Sequence, residues 1–92
     1  MQVTPPSGPA TGEVTVRYFA GARAAAGTTE ERAPAGLGLD QLCAVLADRH
    51  SERLSVVLKA ASFLVDGLTW HDRHQPLPVG ATVDVLPPFA GG

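Results

Sequence analysis

The sequence is poor in several features that mark common classes of protein. Cys43 is the one cysteine, so an internal disulfide is impossible and a reducing, cytoplasmic location is expected. The lysines and arginines form no basic run and the net charge is −2, so we expect no nucleic acid partner. No apolar stretch reaches the ~20 residues of a membrane span, and the opening residues lack the pattern of a signal peptide. We therefore expect a cytoplasmic protein that does not engage a membrane.

Composition divides the 92 residues into three predicted segments. Residues 1–12 contain three prolines and two glycines with little to bury, which predicts a disordered N-terminal arm. Residues 13–88 carry regular apolar patterns and are predicted to form one domain with a modest core. Residues 89–92 are predicted to be a flexible tail that ends in Gly-Gly.

Hydrophobic periodicity within residues 13–88 predicts an α+β fold. Leu39, Leu42 and Leu46 fall at positions i, i+3 and i+7 of the main predicted helix, residues 39–50. Asp66-Gly67 predicts a type I′ hairpin turn between two short strands. The remaining predicted elements are strands at 14–19, 28–33, 62–65, 68–70 and 82–86 and shorter helical segments at 22–26 and 51–59. This order predicts a mixed sheet wrapped around one main helix.

The last seven residues, Leu86-Pro87-Pro88-Phe89-Ala90-Gly91-Gly92, have the features of a chain end that enters another protein. Two glycines can pass through a channel too narrow for a Cβ, and two prolines stiffen the base of the tail. A partner enzyme can adenylate a terminal carboxylate with ATP, and a sulfur nucleophile can then displace AMP. Gly92 is therefore the predicted reactive residue, and Gly91, Ala90, Phe89, Pro88 and Pro87 are predicted to contact partners. The alternative at this point is an inert, frayed end.

Three stretches of the sequence resemble the MoaD/ThiS-type sulfur carriers. Val16-Arg17-Tyr18-Phe19-Ala20-Gly21-Ala22-Arg23, followed by Ala24-Ala25-Ala26-Gly27, is similar to the opening of that family. Phe63-Leu64-Val65-Asp66-Gly67 resembles its middle strand and turn. Pro76-Leu77, Gly80 and the segment from Leu86 to Gly92 resemble its closing strand and tail. The likeness is greatest to the MoaD branch, the small subunit of molybdopterin synthase.

The resemblance implies a ubiquitin-like β-grasp fold and a division of labour with partner enzymes. A ubiquitin-activating-type enzyme would adenylate Gly92 with ATP and Mg²⁺, and the product would become a thiocarboxylate. In the MoaD branch the tail enters the large synthase subunit and supplies sulfur for the dithiolene of molybdopterin. The carrier is then not an enzyme by itself and binds no cofactor.

Several alternatives stay open beside the molybdopterin pathway. Related carriers supply sulfur for thiamin, cysteine or specialised metabolites. A ubiquitin-like modifier would use the same adenylation of Gly92 but would be joined to lysines of target proteins. A binding module with a β-grasp body and an inert tail is the third interpretation.

Strand alternation also predicts a partner surface on the sheet face that points away from the helix. If the valines of the first and last predicted strands face the helix, Phe19, Leu64 and Leu86 lie on the opposite face. We expect Arg17, Phe19, Leu64 and Leu86 to dock the adenylating enzyme, the large synthase subunit, or both. On the tail, Phe89 is expected to be a binding anchor, since aromatic residues dominate interface hot spots.

The remaining candidate residues are expected to be structural. Cys43 lies on the apolar side of the main helix and is expected to be a small core residue, not a sulfur relay. His71 and His74 form half of a metal-ligand pattern, but no second pair accompanies them and no metal site is expected. Trp70 is expected to pack against the hairpin.

Overall fold

Residues 12–88, the part of the chain that the computed structural model describes, form five strands and three helices. In chain order they are β1 (Glu13–Tyr18), α1 (Ala20–Ala26), β2 (Glu30–Pro34), α2 (Leu39–Arg49), α3 (Glu52–Ala60), β3 (Ser62–Val65), β4 (Leu68–Thr69) and β5 (Thr82–Leu86). Nearly all of the predicted arm and the whole of the predicted tail lie outside the described residues, so both stay predictions.

The five strands form one sheet in the order β2-β1-β5-β3-β4. The central pair, β1 and β5, is parallel, and every other pair is antiparallel. Because the first and last strands meet in the middle, the sheet cannot be completed until both ends of the domain are in place. This is the mixed sheet of a ubiquitin-like β-grasp fold, and the predicted fold class is confirmed.

The core lies between one face of the sheet and the two longer helices. Alternation along β1 buries Val14, Val16 and Tyr18, and the valines of β5 are buried beside them. From the other side, α2 contributes Leu39, Leu42 and Leu46, and α3 contributes Leu54 and Leu58. Burying each of these leucines fully contributes about 1.5–3 kcal/mol before conformational entropy is counted. The predicted helix face is therefore the face that packs on the sheet.

The Asp66-Gly67 turn between β3 and β4 has the predicted type I′ character. Its two central residues have φ values of 51° and 84°, both in the left-handed region that this turn requires. The Asp66 side chain accepts a hydrogen bond from the Thr82 backbone N–H at 2.9 Å, and the Asp66 N–H donates to the Thr82 carbonyl at 2.8 Å. The turn thus also holds the start of β5.

Most boundaries differ from the predicted ones by one or two residues. The strand predicted to include Phe19 ends at Tyr18, because Phe19 becomes the extended residue before α1. Strand β2 continues to Pro34, which is tolerated because β2 is an edge strand and its proline needs no ladder donor on the outer side. Helix α2 stops at Arg49, since His50 has a non-helical backbone (φ −113°, ψ −91°).

Within residues 12–88, no helix has the length and apolar character needed to cross a membrane.

Candidate functional site

The sheet face opposite the helices carries the four body residues predicted to dock partners. Phe19, Leu64 and Leu86 are half-buried there, and Arg17 is exposed. Arg17 on β1 lies opposite Asp84 on β5, and Asp84 lies opposite Leu64 on β3. We call the set of Arg17, Phe19, Leu64, Asp84 and Leu86 the open face. The structure therefore brings the four predicted residues together around a fifth one, Asp84.

Arg17 and Asp84 form a two-point ion pair at the centre of the open face. The Arg17 Nε donates to Asp84 Oδ1 at 2.7 Å, and Nη2 donates to Oδ2 at 3.0 Å. The hydrogen bond and charge of Asp84 raise the pKa of Arg17, so the guanidinium stays positive at any physiological pH. The guanidinium carbon also lies 5.7 Å from the centroid of the Phe19 ring, within the range of a cation–π contact.

Asp84 was not among the predicted site residues, although it is the most buried charged residue of the open face. Its side chain is 12% exposed, against 47% for the side chain of Arg17, so the arginine covers the carboxylate. The sequence does indicate that Asp84 is unusual, because a charged residue stands between two core valines of the last strand. Its partner Arg17 can be identified only when β1 and β5 are known to be neighbours.

The end of β5 positions the start of the tail beside the open face. Leu86 pairs with Ser62 of β3, and the Phe19 N–H donates to the Val85 carbonyl at 3.3 Å. Pro87 is half-buried and Pro88 is exposed, and neither can extend the sheet ladder. The other predicted tail residues, Phe89, Ala90, Gly91 and Gly92, lie outside the described residues. The chain therefore leaves the centre of the sheet at the edge of the open face.

A second polar cluster, which the sequence analysis missed, lies on the helix side of the sheet. Glu31 of β2 accepts hydrogen bonds from the Tyr18 hydroxyl at 2.5 Å and from Arg49 Nη1 at 3.0 Å, and its other neighbour is His50 Nε2 at 2.5 Å. Burial alone would raise the pKa of Glu31, but the hydrogen bonds from Tyr18, His50 and Arg49 outweigh it and lower that pKa. Burial, and then the bond to Glu31, raise the pKa of Tyr18. This cluster joins the end of α2 to β1 and β2.

The other residues weighed from the sequence occupy structural positions. Cys43 is partly buried against the core, and burial raises the pKa of its thiol. Trp70 packs beside Phe63, whose carbonyl accepts the Trp70 backbone N–H at 3.1 Å. Across residues 12–88, no group of three or more His, Cys, Asp or Glu side chains could hold a metal ion.

Comparison with known proteins bears on the family and the fold. The model of the ThiS family matches residues 16–92. A Pyrococcus furiosus structure described as a molybdopterin converting factor, subunit 1, is 26% identical with a TM-score of 0.68, over 85% of this chain and 99% of that one. Two further structures show the same fold. Small archaeal modifier protein 1 of Methanosarcina acetivorans is 23% identical with a TM-score of 0.72, over 89% of this chain and 98% of that one. Small archaeal modifier protein 1 of Haloferax volcanii is 20% identical with a TM-score of 0.71, over 88% of this chain and 100% of that one.

No curated protein matches the chain. The family match nevertheless begins within β1 and includes the open face and the last residue of the sequence, Gly92. From these observations together, the chain is a small ubiquitin-like β-grasp protein that belongs to the ThiS family.

Proposed function

We propose that this protein is a sulfur carrier whose Gly92 carboxylate is adenylated and then converted to a thiocarboxylate. The observation that carries the proposal is the family match that extends to Gly92, in the segment that follows the central strand β5 in the sequence. The carboxylate attacks the α-phosphate of ATP and releases pyrophosphate, and a sulfur nucleophile then attacks the acyl carbon and expels AMP. ATP and Mg²⁺ belong to the activating enzyme, so the carrier needs no catalytic side chain of its own.

The open face supports this proposal because it gives the tail a recognition surface next to its base. Phe19 and Leu86 flank the point where the chain leaves the sheet, and Leu64 extends the apolar surface across β3. Clustered apolar side chains at a surface favour a protein partner. In this proposal the open face docks the activating enzyme and later the sulfur acceptor, while Phe89, Ala90 and Gly91 thread the tail into each active site.

We propose molybdopterin synthesis as the pathway, with the large subunit of molybdopterin synthase as the acceptor. The support is the description of the Pyrococcus furiosus structure together with the sequence resemblance to the MoaD branch. The test supplies the thiocarboxylated protein, a large synthase subunit and the sulfur-free pterin precursor, and follows the transfer of sulfur to that precursor to form the dithiolene of molybdopterin. Retention of the thiocarboxylate with that subunit would point to thiamin, cysteine or another sulfur-containing product.

The carrier chemistry itself is tested by intact mass. The protein is incubated with a cognate adenylating enzyme, ATP, Mg²⁺ and a sulfide source, and we expect a mass gain that matches one oxygen replaced by sulfur. The matched control lacks Gly92 alone. This deletion leaves residues 12–88 unchanged and should keep the thermal unfolding temperature while abolishing the mass gain. No mass gain in the full chain, with an enzyme active on another carrier, would contradict the proposal.

A protein modifier is the second candidate function, favoured by the shared fold with small archaeal modifier protein 1 from two organisms. The two functions share adenylation and diverge afterwards, since a modifier forms an isopeptide bond between Gly92 and a lysine. An epitope-tagged chain would show ladders of conjugates that resist denaturation and reduction, and these would vanish when Gly92 is deleted. A carrier alone gives one band of the free protein.

A further inference from the structure

Arg17 has hydrogen-bond donors that no acceptor within residues 12–88 engages. A guanidinium carries five N–H groups, and the pair with Asp84 engages one on Nε and one on Nη2. In the described part of the chain Arg17 makes no hydrogen bond to any other acceptor. Glu30, its register partner on β2, is exposed and adds only an electrostatic contribution. The remaining donors on Nη1 and Nη2 therefore have no acceptor among the described residues.

The position of Arg17 makes these donors important for any partner that covers the open face. Phe19 lies two residues after Arg17, just past the end of β1. Asp84 and Leu64 lie in the same cross-strand row as Arg17. Leu86 lies two residues beyond Asp84 on β5. A surface that covers Phe19, Leu64 and Leu86 together also covers Arg17 and removes its water. If that surface were wholly apolar, a charged group would be buried with unpaired donors, which is strongly unfavourable.

Asp84 gives this arginine a fixed orientation. The two-point contact holds the planar guanidinium in one geometry, and the Phe19 ring lies beside it. A partner that binds Arg17 therefore loses less side-chain entropy than one that orders a free arginine. The N–H groups that Asp84 does not engage are donors only, so the open edge of the guanidinium suits an acceptor such as a carboxylate and offers nothing to a cation.

We propose that Arg17 is the specificity-determining residue of the open face, and that it selects an activating enzyme whose docking surface is apolar with a carboxylate seated against Arg17. Asp84 is the positioning residue that presents the guanidinium. This inference rests on the proposed function only through adenylation, the step that a sulfur carrier and a modifier share.

The experiment replaces the ion pair by apolar residues of similar size, in the double variant Arg17→Met/Asp84→Leu. Removing both charges avoids an unpaired carboxylate and leaves the net charge unchanged, and such replacements are commonly neutral or stabilising. The matched control is Glu13→Gln/Arg32→Gln, which removes an exposed ion pair at the far end of the same sheet face. In this pair Arg32 Nη1 lies 3.6 Å from Glu13 Oε1. Urea unfolding establishes that both variants fold.

The readout is ATP–pyrophosphate exchange by the ubiquitin-activating-type enzyme of the same organism, titrated with each carrier at low and high salt. We expect the half-saturating concentration of the Arg17→Met/Asp84→Leu variant to rise at least tenfold and to depend less on salt than that of the wild type. The control pair should change it less than twofold.

Purely apolar docking predicts the opposite result, because the double variant enlarges the apolar surface. An unchanged or lower half-saturating concentration would overturn the assignment of Arg17, and so would an equal rise in the control pair. Failure of the proposed function can be distinguished from failure of this inference. If the protein is not adenylated at all, the wild-type chain supports no ATP–pyrophosphate exchange at any concentration.

Discussion

Replacing Glu31 by alanine should destabilise the protein strongly, because the Glu31 carboxylate binds the side chains of Tyr18, Arg49 and His50. The substitution removes the acceptor of the Tyr18 hydroxyl. Because Tyr18 is only 1% exposed, water would not readily replace that acceptor. His50, with a side chain 20% exposed, would be partly rehydrated. Arg49 is more exposed and keeps its bond to the Arg32 carbonyl. We assign about 2 kcal/mol to the orphaned hydroxyl and about 1 kcal/mol to the histidine.

The expected loss in free energy of unfolding is therefore about 3 kcal/mol at pH 7, or about 12–24 °C in melting temperature for a domain of this size. Urea unfolding followed by circular dichroism measures it directly. The decisive comparison is the double variant Tyr18→Phe/Glu31→Ala, which also removes the orphaned hydroxyl and should recover about 1–2 kcal/mol relative to Glu31→Ala. If the double variant were no more stable than the single one, the reasoning about the hydroxyl would be wrong.

The same cluster predicts a pH dependence with a defined sign. The pKa of Glu31 is lower in the folded protein than its ordinary value of about 4.3. Its contribution is therefore fully present above that value and is lost as the pH falls through the lowered folded-state pKa. The stability difference between the wild type and Glu31→Ala should shrink as the pH falls below about 4. A difference that grows as the pH falls below about 4 would contradict the assignment.

Three further predictions concern the open face, the tail and the hairpin turn. Phe19→Asp should raise the half-saturating concentration for the activating enzyme at least tenfold with little change in melting temperature, because Phe19 is half-buried on the open face; unchanged affinity would remove Phe19 from the partner surface. Phe89→Ala should leave stability unchanged and weaken docking by more than ~1 kcal/mol, whereas a lower melting temperature would place Phe89 in the core. Gly67→Ala should cost about 1–2 kcal/mol, because Gly67 has a φ of 84°. Its control, Gly21→Ala, lies in a helix with open space around its Cβ position and should stabilise by about 0.5–1 kcal/mol; equal effects would exclude backbone strain as the cause.

Local patterns were enough to predict the elements of the fold. The leucines of α2 and the alternating residues of β1 and β5 each report a burial pattern within a few residues of chain. The Asp66-Gly67 turn was equally readable, because positive φ at both positions restricts the residues that fit. The sheet order could not be predicted from these patterns, because the order of elements along the chain allows several strand pairings. The β-grasp prediction came from the family resemblance.

Contacts between distant segments were not predictable in the same way. Arg17 and Asp84 are 67 residues apart, and neither has a local partner that marks it as half of an ion pair. The His50 ring contacts Glu31 of β2, 19 residues earlier in the chain, and no local pattern around His50 indicates this contact. Both interactions depend on which strands are neighbours. The chemistry of Gly92 remains a prediction from sequence and family, because the described residues stop at Pro88.

The central position of β5 has a consequence for how the protein is made. Until β5 is available, β1 and β3 have no strand between them, and the apolar residues that face α2 stay in contact with water. Pairing across so many residues is slow compared with helix or hairpin formation, so the sheet should close late in folding. Since β5 also supplies Asp84 and Leu86, a full-length chain whose last strand has not yet paired would carry Gly92 without an assembled recognition surface. An activating enzyme that docks on this surface would therefore consume ATP on folded copies and not on unfolded ones.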